Sequence, residues 1–265
     1  MLIDAVGRVH EAIAENSQPR IVSLVPSITE LLCDLGLAHW IVGRTGFCIH
    51  PKDLLRAIPK IGGTKDVNFE KIRTLVPTHL IVNIDENEKP TVEALAAFIP
   101  HVIVTHPQTP RDNLDLYRLL GGIFGAASQA DCLCRAFEHA YAELAVPAAR
   151  SSQDVRTVLY CIWKDPWMTV SKDTYIANML AEIGWRVWQA PGAVRYPVFD
   201  WTPAVLDAID MVLLSSEPYR FTEAHVDALE RQIGKPVQLV DGEMLSWYGS
   251  RAIAGLRYLK TLAET

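Results

Sequence analysis

The chain has 265 residues, 49% of them hydrophobic, with a formal net charge of −6 and an isoelectric point near 5.8. That length is enough for one large domain or two lobes, each with its own core. Mean hydropathy is +0.12, yet no run approaches the ~20 apolar residues of a membrane span, and no basic run marks a nucleic-acid footprint, so neither membrane insertion nor nucleic-acid binding is expected.

From the amino terminus, Leu2, Val6, Val9 and Ile13 predict a short amphipathic helix, without the apolar core of a secretory signal. Ile21–Val25 then reads as a buried strand stopped by Pro26. Ser27 stands three residues before Glu30, a capping-box spacing, and Leu31, Leu32 and Leu35 continue a helix that Gly36 ends. A strand feeding straight into a helix opens a parallel α/β lobe, whose ligand groups lie at the carboxyl ends of its strands. Pro26 and Ser27 are therefore candidate binding residues.

The alternation continues. Strands are predicted at Trp40–Arg44, His79–Asn83 and Val102–Thr105. Helices are predicted from the Asn68 cap to Leu75, over Val92–Phe98, and from a Thr109-Pro110 cap to Leu120. Ser128–Pro147 carries the longest helical period (Ala130, Leu133, Phe137, Tyr141, Leu144), and Pro147 with the polar Ser151–Asp154 marks a break. The second half repeats the pattern. Its strands are Val155–Ile162, Met168–Val170, Arg186–Trp188, Met211–Ser215 and Val237–Val240. Its helices are Thr174–Ile183, Thr202–Ile209, Thr222–Ile233 and about Gly249–Leu262. The fold class is α/β: two parallel-sheet lobes, 1–126 and 149–265, bridged by one long helix over 127–148, with a ligand cleft between the lobes.

Strand ends are rich in polar and aromatic residues: Arg44, Phe47, Cys48 and His50; Asn83, Asp85 and Glu86; His106; Trp163 and Trp167; Tyr196; and Asp241, Trp247, Tyr248 and Arg251. Any one tryptophan there reads equally well as loop packing, but the set favours apolar contact with a ligand. No CxxC, HExxH, GxSxG, P-loop or GxGxxG spacing occurs, so a resident metal and a catalytic device are both disfavoured. Two alternatives remain: a cytoplasmic enzyme acting on a small metabolite in the same cleft through Asp85, Glu86 and His106, and a metal-ion receptor using Cys48, His50, His106 and Asp241. The five cysteines, an odd number, argue against a complete disulfide framework.

Arg20–Leu32, Ile61–Arg73, Leu75–Val82 and Met168–Leu180 resemble, in that order, motifs of the class III periplasmic substrate-binding proteins, the helical-backbone metal-complex receptors of ABC importers. Their cobalamin receptors are the nearest in pattern. The resemblance covers residues 20 to about 262. It implies a non-enzymatic, monomeric transport receptor whose ligand is a corrinoid, haem or ferric siderophore, with no intrinsic cofactor. It places Phe47 and Tyr196 against the ligand, while Asn83 and Thr64 stand where the cobalamin receptors have tryptophans. Trp247, Tyr248 and Arg251 fall in a ligand-contacting segment, and Arg44, Asn83 and Arg251 would meet polar edge groups of the ligand. It places Glu70 at one of two glutamates that dock on the permease dimer; the other position falls at Thr202 or Pro203. As it stands the sequence shows no leader and is expected in the cytoplasm, or in the periplasm if a leader precedes it.

Overall fold

Residues 1–151, 155–192 and 194–264 are described by the structure, a computed structural model, with 145–151 described as backbone. The chain divides into two units. The first comprises residues 1–107, 111–136 and 248–251, and the second 108–110, 137–247 and 252–265.

Unit 1 is built on β1 (Leu2–Ile3), β2 (Val9–His10), β3 (Ile21–Ser23), α1 (Pro26–Asp34), β4 (Ile41–Arg44), α2 (Lys52–Leu55), α3 (Phe69–Thr74), β5 (His79–Asn83), α4 (Lys89–Ala96), β6 (His101–Thr105) and α5 (Asp112–Ile123). Four strands form a parallel sheet in the order β4-β3-β5-β6. Their apolar runs pack against Ile61, Ile72 and Leu95 as one buried core, as expected of strands covered on both faces. The carboxyl ends at Ser23, Arg44, Asn83 and Thr105 line up along one edge.

The amino terminus is not the expected helix but a two-stranded antiparallel ribbon. Asp4, 6% exposed, is its organiser: its carboxylate accepts from the backbone N–H groups of Val6 and Arg8, from His10 Nε2 at 3.0 Å, and from Val104 N at 3.1 Å. The Ala5 N–H donates to Val104 O. The ribbon thus covers β6, the edge strand, which would otherwise offer unpaired backbone groups. A turn held by an aspartate competes with helix wherever the side chain reaches its own backbone.

Two expected caps are also absent. Pro26 occupies the first turn of α1, so Ser27 lies inside the helix and the Ser27–Glu30 box does not form. Likewise α5 starts at Asp112, beyond Thr109-Pro110. Asn68 does cap α3, accepting from Lys71 N at 2.8 Å.

The long helix α6 runs Ala127–Ser151, four residues past Pro147; a proline removes one helical hydrogen bond without having to end the helix. Its residues through Ala136 group with unit 1 and those from Phe137 with unit 2. The rest of the expected break, Ser152–Asp154, lies outside the described residues.

Unit 2 contains β7 (Thr157–Trp163), β8 (Met168–Thr169), α7 (Tyr175–Ala181), β9 (Arg186–Val187), α8 (Pro203–Asp207), β10 (Met211–Ser215), α9 (Glu223–Ile233), β11 (Val237–Val240), α10 (Gly242–Ser246) and, from its second residue, α11 (Arg251–Ala263). β7, β10, β11 and β9 pair in parallel, and β8 folds back antiparallel on the end of β7. Thr174 and Thr202 cap α7 and α8 through their side chains, and Thr222 forms a capping box with His225 at α9. The short helices α2 and α10 stand where the sequence reads as loop. The expected α/β class with parallel sheets in two units describes the molecule.

Candidate functional site

The carboxyl edge of the unit 1 sheet collects several of the expected residues. Pro26 and Ser27 form the buried first turn of α1 after β3. After β5, Asn83 is 2% exposed: its Oδ1 accepts from Asp85 N at 2.8 Å and its Nδ2 donates to Thr105. That turn holds Asp85 beside His106, whose Nε2 lies 3.4 Å from Asp85 Oδ2, with both side chains partly accessible. After β4, Phe47 projects from the loop and is 63% exposed.

Segment 248–251 belongs to unit 1 and is clamped against α1 and α5. The Tyr248 hydroxyl donates to Glu86, and burial together with that carboxylate keeps its proton on far above the usual tyrosine range. Gly249 donates to Asn113 Oδ1 at 2.6 Å and its carbonyl accepts from the Tyr117 hydroxyl at 2.8 Å. Arg251 makes a two-pronged pair with Glu30 at 2.6 and 2.8 Å. Expected as a ligand contact, Arg251 thus ties the segment to α1.

Arg44 calls for a correction of the same kind. It is 6% exposed, and its guanidinium donates to the carbonyls of Leu55, Thr45 and Cys48. It braces the loop that carries Phe47. Cys48 is 1% exposed, lies 3.1 and 3.2 Å from the hydroxyls of Thr29 and Thr45, and burial raises its thiol pKa. Among the described residues no three His, Cys, Asp or Glu side chains are grouped to hold a metal ion, so Cys48, His50 and His106 do not form the metal-ion site of the second alternative.

At the carboxyl edge of the unit 2 sheet, the feature that the sequence reading misses is Glu217. It follows β10, accepts from Ser246 Oγ at 2.7 Å and Trp247 Nε1 at 2.8 Å, and its pKa is raised by burial and by the acids Glu243 and Asp241 nearby. The signal was an acid two residues past a strand that is apolar up to its last residue, Ser215, and flanked by Pro218. Asp241 caps α10 by accepting from Met244 N. Trp247, 9% exposed, is thereby a packed residue. Trp167 is packed too: it stacks on Phe221 at 5.9 Å and meets Trp201 edge-on at 5.3 Å. The exposed aromatics of unit 2 are Trp163, at the end of β7 (41%), and Tyr196 (37%), on the extended segment that bonds to β8 through Pro197.

Of the docking positions, Glu70 is exposed in the first turn of α3, and Thr202 is occupied as the α8 cap.

Residues 21–232, four-fifths of the chain, match the periplasmic binding protein family, and the chain belongs to that family. It is a family of binding proteins and not of catalysts, which removes the enzyme alternative. A 167-residue stretch is 29% identical to an uncharacterised ABC transporter substrate-binding lipoprotein, YvrC, of Bacillus subtilis, covering 61% of this chain and 52% of that protein, so the match spans about half the length of this curated relative. Among solved structures, the periplasmic vitamin B12-binding protein BtuF of Vibrio cholerae superposes with a TM-score of 0.78 at 18% identity, over 93% of this chain and 96% of that one. The periplasmic haem-binding protein RhuT of Roseiflexus sp. RS-1 gives 0.76 at 23% identity over 93% and 98%. The haem-binding protein HutB of Vibrio cholerae gives 0.76 at 21% identity over 94% and 100%. These likenesses establish the fold.

Proposed function

We propose that this protein is the ligand receptor of an ABC importer, working outside the cytoplasm, and that its ligand is a large metal complex of the corrinoid, haem or ferric-siderophore class. The observation that carries the reading is a set of large aromatic side chains left exposed on loops and at a strand end of a binding-protein fold: Phe47, Trp163 and Tyr196. Aromatic rings offer wide apolar contact at little entropic cost, which suits a macrocycle face. The vitamin B12 and haem receptors that share the fold support the ligand class, and the lipoprotein relative supports the importer and the compartment.

His106 is the imidazole suited to meet the metal of such a complex, with Asp85 orienting the ring from behind. Pro26, Ser27 and Asn83 shape the backbone beneath the ligand. Glu70, exposed on α3, is the docking residue for the permease dimer; with Thr202 capping a helix at the second position, one charged anchor sets the orientation where two would be stronger.

Binding titrations of Phe47→Ala and Tyr196→Ala test the reading. Loss of one stacked aromatic is expected to weaken the metal complex by about 1 kcal/mol, a fewfold change in affinity. His106→Ala is expected to shift the absorption bands of bound haem. Unchanged affinity in both aromatic variants would remove the proposed contact set.

A further inference from the structure

At the amino ends of the unit 1 strands, the edge opposite to the one described above, lies a cavity of about 540 Å³. That is within the range of small-molecule sites. The chain after the amino-terminal ribbon forms one wall, and the starts of β5 and β6 form the other.

His79 is the buried polar group of this wall, at 8% exposure. Its ring is stacked on His101 at 4.7 Å and meets the edge of Phe124 at 5.1 Å. The Thr78 hydroxyl lies 2.8 Å from Nδ1. That oxygen already accepts from Arg20 N at 2.8 Å, and its own proton has a poor alternative acceptor in Arg20 O at 3.5 Å. With Thr78 donating to Nδ1, the ring proton sits on Nε2. Burial, with His101 and His10 nearby, holds the ring pKa down to about 4, so the imidazole is neutral at pH 7. The Nε2–H has no acceptor among the described residues and is not sealed in the interior, which leaves the cavity as its open side. Arg8 lines the same space, with one guanidinium nitrogen donating to Val102 O. Glu11 is the one carboxylate of the lining, and His10 is already paired with Asp4. Val9, Ile13 and Ile123 supply apolar surface.

We propose that this cavity is a second binding site, for a small organic anion whose carboxylate takes hydrogen bonds from His79 Nε2 and Arg8 while its apolar body lies on Val9, Ile13 and Ile123. The site is independent of the metal-complex reading, because it lies at the other edge of the sheet.

Benzoate is the probe, with benzyl alcohol as its uncharged counterpart, and the readout is the histidine ring resonances of the full chain by NMR. Benzoate is expected to shift the His79 and His101 signals saturably, and benzyl alcohol at equal concentration to shift them far less. Arg8→Ala is expected to remain folded, as the histidine spectrum of the free variant checks, and to weaken benzoate about tenfold, the loss of one charge-assisted hydrogen bond. Unmoved His79 signals, equal shifts from benzyl alcohol, or undiminished affinity in Arg8→Ala would each overturn the proposal.

Discussion

Glu217 places a half-buried carboxylate in unit 2, where Ser246 and Trp247 hydrogen-bond to it while burial and two neighbouring acids disfavour its charge. Its pKa in the folded protein is raised above the unfolded value. The stability it contributes is therefore fully present below the ordinary glutamate range and is lost as pH rises through the raised value. Glu217→Gln keeps an oxygen for both donors and carries no charge. Its melting temperature relative to wild type is expected to rise from pH 4 to pH 8. A constant difference across that range would mean that the carboxylate is not destabilised in the fold. Arg44, Trp167 and Trp247 make a related point. At the sequence level each is a polar or aromatic residue at a strand end, open to a ligand. Their roles are settled by partners far along the chain: Leu55 for Arg44, Phe221 and Trp201 for Trp167, and Glu217 for Trp247. No local spacing contains that information.

Elements whose cause is local were legible. β5, β10 and β11 begin and end at the expected residues because short apolar runs are bounded by polar or turn residues, and Asn68, Thr174 and Thr202 cap where a short acceptor precedes an apolar period. The amino-terminal ribbon was not legible, since its hydrophobic spacing fits a helix and its shape comes from Asp4 gathering donors from its own turn and from β6. The 248–251 segment fits closely against α1. Gly249 has φ +82, and a Cβ there would lie 3.1 Å from Ser27 O and 3.3 Å from Leu31 Cβ on α1. Gly249→Ala would combine left-handed strain with that contact and is expected to cost about 2 kcal/mol in chemical denaturation. A variant as stable as wild type would show that the segment moves away from α1 at no cost.

Across the whole molecule, the ordered motifs between Arg20 and Leu180 led to the family that the match over residues 21–232 establishes. What the fold adds is a sorting of the candidate site: braces (Arg44, Arg251), packed aromatics (Trp167, Trp247), and aromatics with exposed surface (Phe47, Trp163, Tyr196). The ligand class is the claim on which the rest of the functional account depends. It is tested most directly by titrating the purified full chain with cyanocobalamin, haem and a ferric siderophore, following tryptophan quenching and the absorption of the complex. Saturable one-to-one binding of one of the three, competing poorly with the others, is the expected result. Absence of saturable binding by all three would contradict the account.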